Sequence, residues 1–483
     1  MLFNSVDYLI FFPLVVALYF TIPGKWRWVL LLLASYFFYM CWKAEYVVLI
    51  MITTIIDYLV GIKIGETKEK KKKKKWLVIS VIVNLGMLAG FKYLNFLSGS
   101  MNWLFGEMDI ARQFPVFNVL LPVGISFYIF QSLSYTIDVY RGSVKPERHL
   151  GIFALYVSFF PQLVAGPIER SSNLIPQFYG NHVFSQQRLV SGLKLMLWGF
   201  FKKVVIADRL GLFVAKVYDN PGMFHGLPVI LATVMFAFQL YCDFSGYTDI
   251  ARGSARVMGY DLMINFNRPL IAKSLRDFWN RWHISLTTWF RDYLLYSLPY
   301  IRNKKIIMGL MYRNLVITYL LMGLWHGASW NFVIFGMLNG VLLVIETVTE
   351  RQRNRLFEVT RLDKVPVIKG FITNIITFLI LISTMVFFRA RNLTDCGMIF
   401  LNSFDFSNTG LALKAILKDN EVLFGILMVI FLMTAEYLHE KYDLVRFVSK
   451  RHIVIRWAGY IGFVFFVLLM GVLHKQAFLY FQF

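Results

Sequence analysis

Apolar stretches, each about the length of a membrane-spanning helix, recur from one end of this sequence to the other. No other feature limits the fold as much, because a helical span needs about 20 such residues. Five lie in the first third: Tyr8–Ile22, Trp28–Trp42, Tyr46–Ile62, Trp76–Leu97 and Val116–Val139. Later ones are Leu227–Phe244, Leu315–Ile345, Phe371–Phe388, Val422–Tyr437 and Ile455–Leu473. A chain of 483 residues has room for about ten to thirteen spans. Composition agrees: 58% of residues are hydrophobic and 16% charged, where soluble domains carry roughly 25% charge. A disordered chain, a disulfide-stapled secreted module and a soluble enzyme are all excluded. The expected fold is an all-α polytopic membrane protein, one domain over 1–483. Within it, 1–150 holds N-terminal spans, 151–350 the chemistry-bearing motifs and 351–483 C-terminal spans.

The net charge of +22 would suggest nucleic acid in a soluble protein. Here cationic cytoplasmic segments explain it better, and no nucleic-acid partner is expected. Lys70–Lys75 is unbroken and has no interleaved aromatic residue, so it reads as a solvated loop facing anionic lipid. Basic residues alternate across the first five stretches: Lys25 and Arg27, then Lys63–Lys75, then Arg141, Lys145 and Arg148. The N-terminus and the Ser98–Gln113 connection are poor in them. The positive-inside rule therefore predicts a multi-pass protein of the cell membrane, with the N-terminus outside and the poly-Lys loop cytoplasmic. Residues 1–22 lack a basic n-region and a small-residue cleavage site, so they read as a first span rather than a cleaved signal. Cys41, Cys242 and Cys396 lack metal-ligand spacing and read as small buried hydrophobes. No metal site is expected.

Beyond residue 150 the simple alternation fails. Phe160–Pro167 (FPQLVAGP) is apolar yet holds two prolines, which suits a re-entrant segment covered by protein. Leu315–Ile345 spans 31 residues and predicts two short helices meeting at Gly327. In Arg268–Leu298, aromatic and leucine residues from Phe278 to Tyr296 recur every three or four positions, the stripe of an interfacial amphipathic helix. His283 lies one residue off that stripe. His326 lies in LLMGLWHGA with no charged neighbour for about ten residues, and an ionisable group at membrane depth marks a functional candidate. A structural imidazole bonded between helices fits its position equally well. In Tyr241–Asp249 (YCDFSGYTD), Thr248 or Asp249 reads as the N-cap of a following helix. Arg252 and Arg256, one turn apart, suit a phosphate or a carboxylate. There is no phosphate-binding loop, dinucleotide fingerprint or nucleophile elbow.

Phe278–Leu286 (FWNRWHISL) with Trp289–Tyr293 (WFRDY) resembles the long signature of the membrane-bound O-acyltransferase family, and Gly323–Ala328 (GLWHGA) its histidine motif. FPQLVAGPIE at 160–169, DFSGYTD at 243–249 and the terminal Tyr480–Phe483 (YFQF) are similar to the branch containing the alginate O-acetylation protein. One departure is Leu294–Tyr300 (LLYSLPY), which lacks the paired glycines usual after Arg-Asp-Tyr. The resemblance implies a bundle that moves an acyl group, acetyl from acetyl-CoA, from a cytoplasmic thioester to a hydroxyl across the membrane. It implies a polysaccharide acceptor or an extracytoplasmic acetyltransferase partner. His326 takes the position of the catalytic base, and His283 orients the carbonyl or relays the proton. Arg281, Arg291, Trp325, Ser285 and Asp243 are the expected substrate contacts, with snorkelling to headgroups an equal account of the two arginines. A glycan or lipid transporter and a D-alanyl transfer protein are the rival readings.

Overall fold

The computed structural model describes residues 1–117, 120–164, 166–302, 305–407, 409–442, 444–472 and 478–479. The C-terminal Tyr480–Phe483 motif lies outside the described residues. Among the described residues the regular structure is helical apart from a two-residue antiparallel ladder pairing 301–302 with 305–306. Seven helices among the described residues are long and apolar enough to cross a membrane. It is an all-α, multi-pass membrane protein.

The N-terminal helices are α1 (Val6–Thr21), α2 (Arg27–Met40), α3 (Val47–Glu66), α4 (Lys70–Leu88), α5 (Leu94–Glu107) and α6 (Ile125–Arg141). Three expectations change here. Lys70–Lys75 is not a loop but the exposed start of α4: lysine is a good helix former, and nothing before Trp76 breaks the pattern. The predicted outer connection Ser98–Gln113 is mostly α5, continuous with α4 through a π-turn at Ala89–Tyr93. The stretch from Val116 becomes helical only at Ile125, after Pro122 and Gly124, whose φ is +76°. A Cβ on Gly124 would stand 2.7 Å from the Leu163 carbonyl oxygen, so this turn admits only glycine.

The middle third begins with α7 (Leu150–Ser158), α8 (Phe160–Leu163) and α9 (Ser171–Phe178). As expected of a covered irregular segment, Ile152–Val164 is buried throughout. Next come α10 (Gln186–Phe200), a π-turn at Phe201–Ala207, α11 (Asp208–Tyr218) and α12 (Leu227–Met258). The helices at 186–218 were not among the expected apolar stretches, since Arg188, Lys194, Lys202 and Lys203 interrupt them. α12 runs unbroken through Tyr241–Asp249, so neither Thr248 nor Asp249 is an N-cap. Thr248 donates instead to the Phe244 carbonyl (3.0 Å), and Asp249 Oδ2 accepts from Lys202 Nζ (2.6 Å).

α10 and α12 lie against each other through glycines. A Cβ on Gly199 would come within 2.6 Å of the Gly246 carbonyl, and one on Gly253 within 2.6 Å of that of Gly192. The two pairs, seven residues apart on each helix, fix an antiparallel register. Small residues let backbones touch where lipid removes any hydrophobic drive for association.

The Arg268–Leu298 stripe is two helices, α13 (Leu275–Arg281) and α14 (Ile284–Tyr293). His283 breaks it with a left-handed backbone, φ +43°. α15 (Met308–His326) and α16 (Trp330–Val348) meet at Gly327 as the sequence predicts. The remainder comprises α17 (Glu350–Val359), α18 (Pro366–Arg389), α19 (Leu393–Ser403), α20 (Thr409–Lys418), α21 (Asn420–Lys441), α22 (Leu444–Ser449) and α23 (Ile453–Met470). Cys242 and Cys396 are buried, but Cys41 is exposed where α2 ends, contrary to its reading as a buried residue.

Candidate active site

α15 stops at His326 because Gly327 turns into extended backbone, φ −158°. Gly323 and Gly336 bring α15 onto α16: a Cβ on Gly323 would lie 2.7 Å from the Gly336 Cα. That crossing presses the His326 side chain among Trp325, Phe335 and Phe388, with ring centroids at 5.1, 6.3 and 5.4 Å. His326 is 4% exposed. It lines two separate small cavities. Leu240, Phe278, Trp279, Asn339, Thr384 and Phe388 line one. Lys92, Val123, Ser126, Phe127 and Trp325 line the other.

His283 occupies the turn before α14. Asn265 holds that turn: its carbonyl accepts from Ile284 N (2.9 Å), and its Oδ1 accepts from Ser285 N (3.1 Å) and Ser285 Oγ (2.9 Å). A non-glycine residue in left-handed backbone costs on the order of 1–3 kcal/mol and tends to occur at functional positions. The imidazole is boxed by Phe244 (4.7 Å, edge-on), Phe127 (6.2 Å, stacked) and Trp325 (6.0 Å). One face of the Trp325 environment thus belongs to His283 and another to His326.

The other predicted contacts stand elsewhere. Ser285 is occupied by Asn265. Asp243 accepts from Lys203 Nζ (2.6 Å) and from Leu479 N (2.8 Å), and Lys203 also pairs with Asp208 (2.7 Å). All three charged side chains of that triad are buried. Arg281 is engaged by Asp277 (2.7 Å) and Glu440 (3.6 Å), and Arg291 by Asp292 (2.9 Å). Neither guanidinium lines a cavity beside His326. Arg252 and Arg256 likewise face acids, Asp249 at 3.5 Å and Asp261 at 3.8 Å. Of the seven predicted residues, His326, His283 and Trp325 come together and four do not.

Trp279 and Lys92 escape the sequence reading, and Trp325 gains a specific role. Two indole N–H groups, on Trp279 and Trp325, are buried with no hydrogen-bond partner among the described residues. Each lines one of the two cavities at His326. A buried unpaired donor is rare enough to call for a cause. Lys92 reaches the end of α15, donating to the carbonyls of Trp325 (2.6 Å) and His326 (3.0 Å). As the one charge within Trp76–Leu97, it carried a usable signal. Among the described residues, no three His, Cys, Asp or Glu side chains converge as a metal site would require.

A model of the membrane-bound O-acyltransferase family matches residues 148–388, which is α7 through nearly all of α18. The probable alginate O-acetylase of Azotobacter vinelandii is 38% identical over 84% of this chain and 79% of its own length. The peptidoglycan O-acetyltransferase of Helicobacter pylori is 34% identical over 79% of this chain and 74% of its own. The teichoic acid D-alanyltransferase of Streptococcus thermophilus is 29% identical over 48% of this chain and 59% of its own.

Proposed function

From the premise that this chain belongs to the membrane-bound O-acyltransferase family, and so is an O-acyltransferase, we propose that it carries acetyl from cytoplasmic acetyl-CoA across the membrane for O-acetylation of a cell-surface polysaccharide. The recipient is the glycan itself or an extracytoplasmic acetyltransferase that passes the group on. The larger share of the chain aligned with the alginate relative than with the D-alanyl one, 84% against 48%, supports acetyl as cargo.

The observation that carries the mechanism is a buried His326 that lines two separate cavities. An acceptor hydroxyl entering one cavity gives its proton to the imidazole as its oxygen bonds to the thioester carbonyl carbon presented from the other. The tetrahedral oxyanion takes a hydrogen bond from the indole N–H of Trp325, a donor that costs nothing to reorganise at that moment. Collapse breaks the C–S bond, and the imidazolium returns its proton to the leaving thiolate. His283 packs on Phe127 and Trp325, which line one of the two cavities, and so steadies that wall. Arg281 and Arg291 are paired with acids and line neither cavity, so no step is assigned to them.

His326→Gln tests this reading, since glutamine hydrogen-bonds but cannot act as a base. Transfer of labelled acetyl in membrane vesicles should fall by about 10²- to 10⁴-fold at matched expression. Retention of more than about a tenth would make the histidine structural. His283→Ala should also be impaired. The proposed orientation, N-terminus outside and the start of α4 cytoplasmic, rests on the basic residues. The exposed native Cys41 should then react with an impermeant maleimide in intact cells, and a cysteine at position 72 only after lysis. The reverse pattern would invert the direction of transfer.

A further inference from the structure

We infer that Lys92 is a positioning residue for acyl transfer, holding the catalytic turn by closing the C-terminus of α15. The last carbonyls of a helix have no partner within it, and at membrane depth no water replaces one. Here Lys92 Nζ meets Trp325 O at 2.6 Å and His326 O at 3.0 Å, and Tyr93 Oη meets Leu324 O at 3.0 Å. Three successive carbonyls are therefore closed by two successive residues. Both belong to the Ala89–Tyr93 π-turn, a geometry that concentrates at functional positions.

Simple packing glue does not account for a lysine there. No carboxylate pairs with its ammonium among the described residues, and a lone cation within a span is costly. Its acceptors are the backbone oxygens of the two residues whose side chains form the proposed base and oxyanion donor. The ammonium also sits at the negative end of the α15 dipole, 5.9 Å from the centre of the Trp325 ring, and lines the same cavity as His326. Removing it frees the terminal turn of α15, and with it the aim of both side chains.

The role rests on His326 being the base, so the test carries His326→Ala as a reference. Lys92→Met, Lys92→Arg and Tyr93→Phe are compared in vesicles with labelled acetyl-CoA. Lys92→Met should lower kcat by about ten- to a hundredfold, the scale of an ångström's misplacement, with KM for acetyl-CoA nearly unchanged. Lys92→Arg, which keeps charge and donors, should recover most of the loss, and Tyr93→Phe should cost about threefold. In the His326→Ala background, Lys92→Met should add nothing further. Hydrogen exchange in nanodiscs should quicken in residues 320–331 but not in α12. The inference is overturned if Lys92→Met keeps more than about half of kcat, acts through KM alone, or quickens exchange in α12 equally. Activity surviving in His326→Ala would instead remove the base assignment, and the exchange measurement would still decide whether Lys92 holds the turn.

Discussion

α12 and α23 are both apolar enough to cross a membrane, yet they live in opposite surroundings. Over the most apolar window of each, 72% of α12 is buried inside protein and 6% of α23. Within that window of α12 the polar residues are buried and paired, Thr233 with Tyr218 and Asp243 with Lys203. Ser245, Gly246, Thr248, Asp249, Gly253 and Ser254 extend the same polar and small character beyond it. α23 has Gly459 and Gly462, but a Cβ on either would meet nothing within 4 Å. Apolar character puts a helix into lipid. Which other helices it then touches is decided by close backbone approach and by paired polar groups.

Three substitutions sharpen this contrast. The largest effect is expected at Lys203→Met, which leaves Asp208 and Asp243 facing each other inside the bundle without a cation. Breaking such a buried set costs about 3–5 kcal/mol, read as loss of folded protein in size-exclusion profiles and a lower Tm. Replacing all three charges with leucine and methionine should restore much of that stability, because it removes the uncompensated acids as well. If Lys203→Met leaves Tm unchanged, the polar interior of α12 is not what holds it.

Next in size is Gly246→Ala. Its new methyl would meet the Gly199 carbonyl at 2.7 Å, and overpacking of this kind costs about 1–3 kcal/mol. The same substitution at Gly462, in the middle of α23, meets nothing within 4 Å. It should be neutral or stabilising by up to about 1 kcal/mol, because alanine suits a helix better than glycine. Opposite shifts in Tm from one chemical change would confirm the contrast, and equal shifts would erase it.

What local sequence reveals follows the same divide. The break at Gly327 is legible because a run of 31 apolar residues exceeds one span and has glycine at its middle. The two histidine motifs carry the family resemblance without help from structure. The continuity of α12 through Asp243 is not legible. A carboxylate at membrane depth reads as the end of a span, and Lys203 and Lys202, which neutralise Asp243 and Asp249, stand 40 and 47 residues upstream of them. The left-handed turn at His283 hides for a related reason: the aromatic stripe keeps its period across the break, and the Asn265 that holds the turn lies about one helix-length away in sequence. The acids that engage Arg281 and Arg291, Asp277 and Asp292, stand four and one residues away and are legible in the sequence; only Glu440 is out of view.

The contact between Lys92 and the end of α15 also sets an order of assembly. Its partners lie 233 and 234 residues downstream. At synthesis rates of about 5–20 residues per second, roughly ten to fifty seconds separate them. Throughout that interval the nascent chain carries an ammonium in the bilayer that α15 has yet to receive, so the unfinished protein is chemically distinct from the finished one. A chain truncated before Trp325 would keep that charge open to lipid, a mark by which membrane quality control could recognise and clear it.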